Sequence, residues 1–122
     1  METWTLTWTK LTPLNATEIE KISTDTSGVY RLSYKHEDGN YYVFYIGKST
    51  DIRKRLLEHI ADSEPNLGIK KFYSSYECFF RYAIVKDEYV RNGAEKQLFL
   101  HYHPSCNDVE PSGRDDINVN FN

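Results

Sequence analysis

The sequence predicts a mixed α/β domain of the α+β kind, a small three-stranded sheet flanked by helices. Three observations predict it. Two runs rich in Tyr, Val, Phe and Ile, residues 28–34 and 41–47, flank His36-Glu37-Asp38-Gly39-Asn40, whose Asp-Gly step is a strong hairpin signal. A third run of the same character covers 77–85. Apolar residues at helical spacing follow the second and third runs, so helices pack on the sheet. The 122 residues, 39% hydrophobic and 15% aromatic, suit one globular domain and exclude collagen-like and coiled-coil chains.

Taken in order, residues 3–11 alternate Thr with Trp4, Leu6 and Trp8, the period of an extended segment with one apolar edge. Asn15 with Glu18 three residues on has capping-box spacing and opens a short helix over 16–23. In the second hairpin strand Tyr41, Val43 and Tyr45 alternate with Tyr42, Phe44 and Ile46, apolar on both faces, which predicts a central strand covered on both sides. Ser49 or Thr50 caps the next helix, where Ile52, Leu56 and Ile60 recur every fourth position as far as Asp62. Arg55 and His59 border that stripe and lean toward the sheet edge. Residues 87–102 form a last helix stopped by Pro104, which Asn92-Gly93 breaks or restarts.

No apolar run approaches the roughly 18 residues of a membrane span, and no signal segment opens the chain, so a soluble, cytoplasmic protein is expected. Cys78 and Cys106 stand outside any C-x-x-C spacing and read as two reduced thiols. The net charge of −3 argues against a general polyanion binder. It is also unevenly placed: residues 108–122 hold Asp108, Glu110, Asp115 and Asp116 against Arg114, and the rest of the chain is balanced. Within the balanced part, Lys48, Arg53, Lys54 and Arg55 cluster, followed by Lys70 and Lys71.

Gly47-Lys48-Ser49-Thr50 looks like the end of a phosphate-binding loop, but Tyr42 stands where the first glycine belongs. His101 and His103 lack carboxylates at ligand spacing and read as a solvated helix end. A longer constellation carries more: Gly28-Val29-Tyr30, Tyr45-Ile46-Gly47, Arg55 ten residues past Tyr45, His59 four further on, Glu95 in the last helix and Asn107 after Pro104. Here the chain resembles the GIY-YIG endonuclease family, with Val29 in place of isoleucine and a slightly long loop between the tyrosines. The resemblance covers a core at 27–107, leaving 1–26 as an N-terminal extension and 108–122 as an acidic irregular tail of one domain, 1–122.

The resemblance implies a metal-dependent phosphodiesterase that cuts DNA. Such chemistry needs a group to activate water, positive charge for the transition state and a ligand for a divalent cation. By similarity, Tyr30 helps deprotonate or position the attacking water, its pKa lowered from about 10 by Lys48 and Arg55. Tyr45 orients the nucleophile or the scissile phosphate, Arg55 offers a planar fork to phosphate oxygens, and His59 relays a proton. Glu95 is the expected ligand for Mg2+ or Mn2+, although its spacing from Asn92 also fits a helix cap. Asn107 fastens a loop beside the site, and Gly28 and Gly47 support the two tyrosines. DNA contacts are expected from Lys48, Arg53, Lys54, Lys70 and Lys71. Two alternatives remain open: a catalytically weak nucleic-acid-binding module of the same fold, and an interaction protein using Trp4, Trp8 and the tail. A homodimer or an unidentified protein partner also stays open.

Overall fold

Side-chain alternation along the hairpin divides the chain into two layers. In the computed structural model, which describes residues 2–107, 111 and 117–120, the elements in chain order are β1 (Glu2–Thr5), β2 (Thr12–Pro13), α1 (Ala16–Ile19), β3 (Gly28–Lys35), β4 (Tyr41–Ser49), α2 (Ile52–Ile60), α3 (Leu67–Ser75), β5 (Cys78–Ile84), α4 (Glu88–Tyr102) and β6 (Ile117–Asn120). The hairpin forms as expected. β3 and β4 pair antiparallel with Tyr30 opposite Gly47 and Leu32 opposite Tyr45. The Asp38-Gly39 turn is closed by His36 N donating to Asn40 O at 2.9 Å and Gly39 N to His36 O at 2.9 Å.

The sheet has four strands in the order β2-β5-β3-β4, one more than expected, because β2 adds a short antiparallel rung to β5. β3 is central, paired with β5 on its other side, and β4 lies at the edge. Its apolarity on both faces was therefore misread as centrality. The edge is covered instead: Asn107 Oδ1 accepts from Ile46 N at 2.9 Å, Asn107 Nδ2 donates to Ile46 O at 2.8 Å, and Cys106 N donates to Phe44 O at 2.9 Å. A bulge between Leu32 and Ser33 also skips Phe44, so Phe44 and Tyr45 both lean toward the layer that holds Tyr30.

That layer packs Leu14, Ile19 and Ile22 together with Ile52 and Leu56 of α2 and Ile69 of α3 against Tyr30, Leu32 and Phe80. On the opposite face, Val90, Ala94 and Leu98 of α4 cover Val29, Ile46 and Ala83, with Leu6 and Val119 at the flank. β1 and β6 pair in parallel as a separate two-stranded sheet. Residues 117–120 are thus a strand instead of irregular tail, while 108–110 and 112–116 lie outside the described residues.

Several boundaries differ from expectation. α1 ends at Ile19, well before 23: Asn15 Oδ1 accepts from Glu18 N at 2.9 Å, but the Glu18 carboxylate pairs with Lys21 instead of returning to Asn15. α2 is capped by Asp51, not Ser49 or Thr50, and Ser49 Oγ accepts from Asp51 N at 2.9 Å. α3 was not anticipated, although Asn66 caps it and Ile69, Phe72, Tyr73 and Tyr76 follow a helical spacing. α4 runs unbroken through Asn92-Gly93, since Gly93 is buried inside the helix. The extended reading of 3–11 holds for β1 and for Trp8, which bridges to Ala83, but Trp4 is 41% exposed. No described helix is long and apolar enough to cross a membrane. Cys78 and Cys106 are buried free thiols, and burial pushes that of Cys78 up to about 12.

Candidate active site

Two motif glycines stand where a side chain would collide. A Cβ at Gly47 would lie 2.3 Å from the Tyr30 phenol, so the missing side chain is the space that the tyrosine fills. At Gly28 a Cβ would lie 2.0 Å from the Ala83 carbonyl oxygen, so close pairing of β3 with β5 requires glycine there.

With Tyr30 fixed by the strand pair, α2 brings His59 to it, because residues 52, 56 and 59 share the buried face of the helix. The Tyr30 hydroxyl lies 2.7 Å from His59 Nε2, and His59 Nδ1 lies 2.8 Å from Glu64 Oε2. The other carboxylate oxygen of Glu64 accepts from Asn66 N at 3.0 Å. Tyr30, His59 and Glu64 are all almost fully buried. A carboxylate accepts, so the hydrogen of His59 sits on Nδ1 and Nε2 accepts from the phenol. Tyr45 completes the group, its ring edge-on to His59 at 5.1 Å between centroids and 6.2 Å from that of Tyr30.

Glu64 is the residue that sequence reasoning missed. No periodicity points to it, since it follows α2 in a turn closed by Glu64 N donating to Ala61 O at 3.0 Å. Its sequence signal is weak: a carboxylate five residues after a buried helical histidine and just before Pro65.

Electrostatics correct one expectation. The Tyr30 phenol is pushed well above its ordinary value, not lowered: burial and Tyr45 outweigh the downward pull of Arg55. Tyr45 is also raised, chiefly by burial and against Arg55. His59 is held below its usual range by burial and by Arg55, with Glu64 opposing, and so is neutral near pH 7. Arg55 Nη1 donates to Glu58 at 3.2 Å and stays partly open beside a cavity of about 290 Å3 that Glu64 and Pro65 also line.

Glu95 stands on α4, beside β4. Its carboxyl is raised by burial, with Lys48 opposing, and Lys48 Nζ lies 3.6 Å away. The same ammonium donates to Asn92 Oδ1 at 2.6 Å. The cap reading of Glu95 therefore fails: Asn92 is inside a continuous helix and turned to Lys48. Among the described residues no three His, Cys, Asp or Glu side chains cluster as a metal site. One hard carboxylate oxygen donor still fits Mg2+ or Mn2+, which take most of their ligands from water and substrate phosphate.

Tyr30, Tyr45, Arg55 and His59 thus come together, with Glu95 and Lys48 at their margin, and Asn107 is tied to Ile46 within the Tyr45-Ile46-Gly47 segment. Arg53 and Lys54 stand elsewhere, lining a cavity of about 470 Å3 with Thr24, Asp51 and Glu58. Lys70 and Lys71 ride on α3, where Lys70 Nζ donates to Asp62 O at 2.8 Å.

Comparison with known proteins agrees with the constellation. The GIY-YIG catalytic domain family matches residues 26–107. The chain is 31% identical over 83 residues to UvrABC system protein C of Rickettsia rickettsii (strain Sheila Smith), a match covering 68% of this chain and 12% of that protein. The protein of the same name from Rickettsia felis is 31% identical over 80 residues, 66% of this chain and 12% of the relative. The match therefore spans about an eighth of those relatives' length. No solved structure matches the chain. With its signature residues assembled around one buried relay and its matched region covering most of its length, the chain belongs to the GIY-YIG catalytic domain family, the endonuclease family that its sequence resembles.

Proposed function

We propose that this protein is a metal-dependent endonuclease that hydrolyses DNA phosphodiester bonds. The observation that carries the reading is the buried chain of hydrogen bonds from Tyr30 through His59 to Glu64. A phenol raised by burial keeps its proton at neutral pH and is a poor base by itself. Coupled to a neutral His59 it can act in one concerted transfer: the attacking water gives a proton to the Tyr30 oxygen as the phenol gives its own to His59 Nε2. Glu64 then faces an imidazolium and stabilises it. The water oxygen forms the new bond to phosphorus, and the bond to the leaving deoxyribose oxygen breaks as that oxygen takes up a proton from solvent.

Arg55 is suited to the equatorial oxygens, where negative charge grows, because its guanidinium is planar, permanently charged and partly open to a substrate. Tyr45, beside His59 and Tyr30, orients the water or the phosphate. Glu95 would hold Mg2+ or Mn2+ together with waters and a substrate oxygen. When bound, the cation supplies positive charge to the reacting phosphate. Lys48 balances the Glu95 carboxylate before a cation binds. Asn107, by pinning Ile46, keeps the Tyr45 strand in register. Lys48, Arg53, Lys54, Lys70 and Lys71 are proposed phosphate contacts on a DNA partner; each would steepen the salt dependence of binding by about 0.9 in log–log slope.

A binding module with an unused site gains nothing from this geometry, because the cap that would have diverted Glu95 does not form. The test is incubation of supercoiled plasmid and a branched synthetic duplex with wild type and Glu95→Ala, with and without Mg2+. Nicking or cutting by the wild type alone, and only with metal, is expected. Folded wild type that binds both DNAs and cuts neither would overturn the proposal.

A further inference from the structure

Residue 31 leaves β3 on the face opposite Tyr30, and across the ladder its direct partner is residue 81. Both are arginine. Like charges directly opposite on neighbouring strands repel, and partly buried cations are costly without counter-charge. Among the described residues neither side chain has an ion pair. Arg31 lies over the Trp8 ring at 4.6 Å and donates from Nη1 to the Tyr102 hydroxyl at 2.5 Å, so its neighbours here are neutral aromatic groups. Burial and the charge of Arg81 hold the Arg31 guanidinium below its ordinary value.

The two arginines open into a cavity of about 210 Å3 beside the C-terminal end of α4. Leu11, Tyr41, Val43 and Tyr102 wall it, Ser33 shares it, and among the described residues no carboxylate lines it. Nε of Arg81 is buried with no hydrogen-bond partner, and so is Nε1 of Trp8, the ring beneath Arg31. One of the described structure's orphaned buried donors, Arg81 Nε, therefore belongs to a residue lining this doubly cationic cavity, whereas Trp8 lines a separate one with Thr9 and Tyr82. Donors and positive charge without an acceptor describe half of an oxyanion site. The volume has room for about seven waters at roughly 30 Å3 each, which suits a phosphate group and is tight for a whole nucleotide.

We propose that Arg31 and Arg81 form a phosphate-binding site on the sheet face opposite the Tyr30–His59–Glu64 relay. It is distinct from the catalytic proposal and does not depend on it. The phosphate can belong to a free anion or to a DNA backbone lying on this second face, and the chemistry of recognition is the same: guanidinium forks on paired oxygens, with the aromatic walls limiting water.

The test is titration of the 122-residue chain with inorganic phosphate at constant ionic strength, read by tryptophan fluorescence and by thermal unfolding. Expected for the wild type is a saturable fluorescence change and a rise in Tm; at a phosphate concentration near 100 Kd that rise corresponds to about 2.7 kcal/mol. Arg81→Gln, which removes the repulsion, should leave the phosphate-free Tm equal or higher while cutting the response at least tenfold. Arg55→Gln, on the other face, should retain it. A short duplex that competes with phosphate in the wild type but not in Arg81→Gln would assign the site to DNA; phosphate binding indifferent to duplex would assign it to a free anion. No saturable response in folded wild type, or the same response in Arg81→Gln, overturns the proposal.

Discussion

Glu64 shows most clearly how one residue can set the behaviour of another. Its carboxylate accepts from His59 and from Asn66 N at the start of α3, and so it decides which imidazole nitrogen faces Tyr30. It also raises the affinity of His59 for a proton, against burial and Arg55. In the proposed mechanism it is a positioning residue, and Glu64→Gln keeps its shape while removing its charge. Cleavage by that variant should fall roughly 10–100-fold, the range for partners that hold a functional histidine, with DNA affinity nearly unchanged. The acid limb of the pH–rate profile should move to lower pH, because His59 loses the group that favours its charged form. A variant that loses stability while its acid limb stays in place would reduce Glu64 to a structural part. Tyr30, Arg55 and His59 were singled out in sequence through the resemblance to the family's ordered motif segments. Glu64 was not, since a turn places it and no repeat marks it.

At the scale of elements, β4 explains how an edge strand can look central. Its Phe44 and Ile46 are fully buried on opposite faces, and its outer rim is closed by the Asn107 amide, which donates and accepts as a neighbouring strand would. Asn107→Ala should therefore leave Ile46 N–H and C=O without partners, at a cost of about 1–3 kcal/mol. Urea unfolding would read that cost, and amide exchange at Ile46 should accelerate more than at Leu32 of central β3. Equal acceleration of both amides would refute a local clasp. The sequence marked Asn107 as a loop fastener, but the strand it fastens and the edge it closes depend on a contact spanning sixty-one residues. α3 was missed for a different reason. Its Asn66 cap and its 69-72-73-76 spacing are present in the sequence, but the apolar stripe is short and spread over only nine helical residues.

For the whole molecule, burial of His59 links folding to pH. Unfolded, His59 takes up a proton near its ordinary 6.5; folded, it does so only at lower pH. Between those values the unfolded state binds more protons, so stability rises with pH and is lost as pH falls below about 6.5, by at most about 1.4 kcal/mol per pH unit. Urea unfolding across pH 7 to 5 should show this slope in wild type and a shallower one in His59→Gln. Identical slopes would assign the acid sensitivity to other groups. By itself the sequence determined the hairpin and the helices α2 and α4, because periodicity and turn chemistry are properties of neighbouring residues, and its ordered motif segments determined the family. The tertiary structure alone decided that β3 is central, that Glu64 hydrogen-bonds His59, that the Tyr30 phenol is raised, and that Arg31 meets Arg81. Each of these depends on distance and burial between elements far apart in the chain, and only packing fixes those.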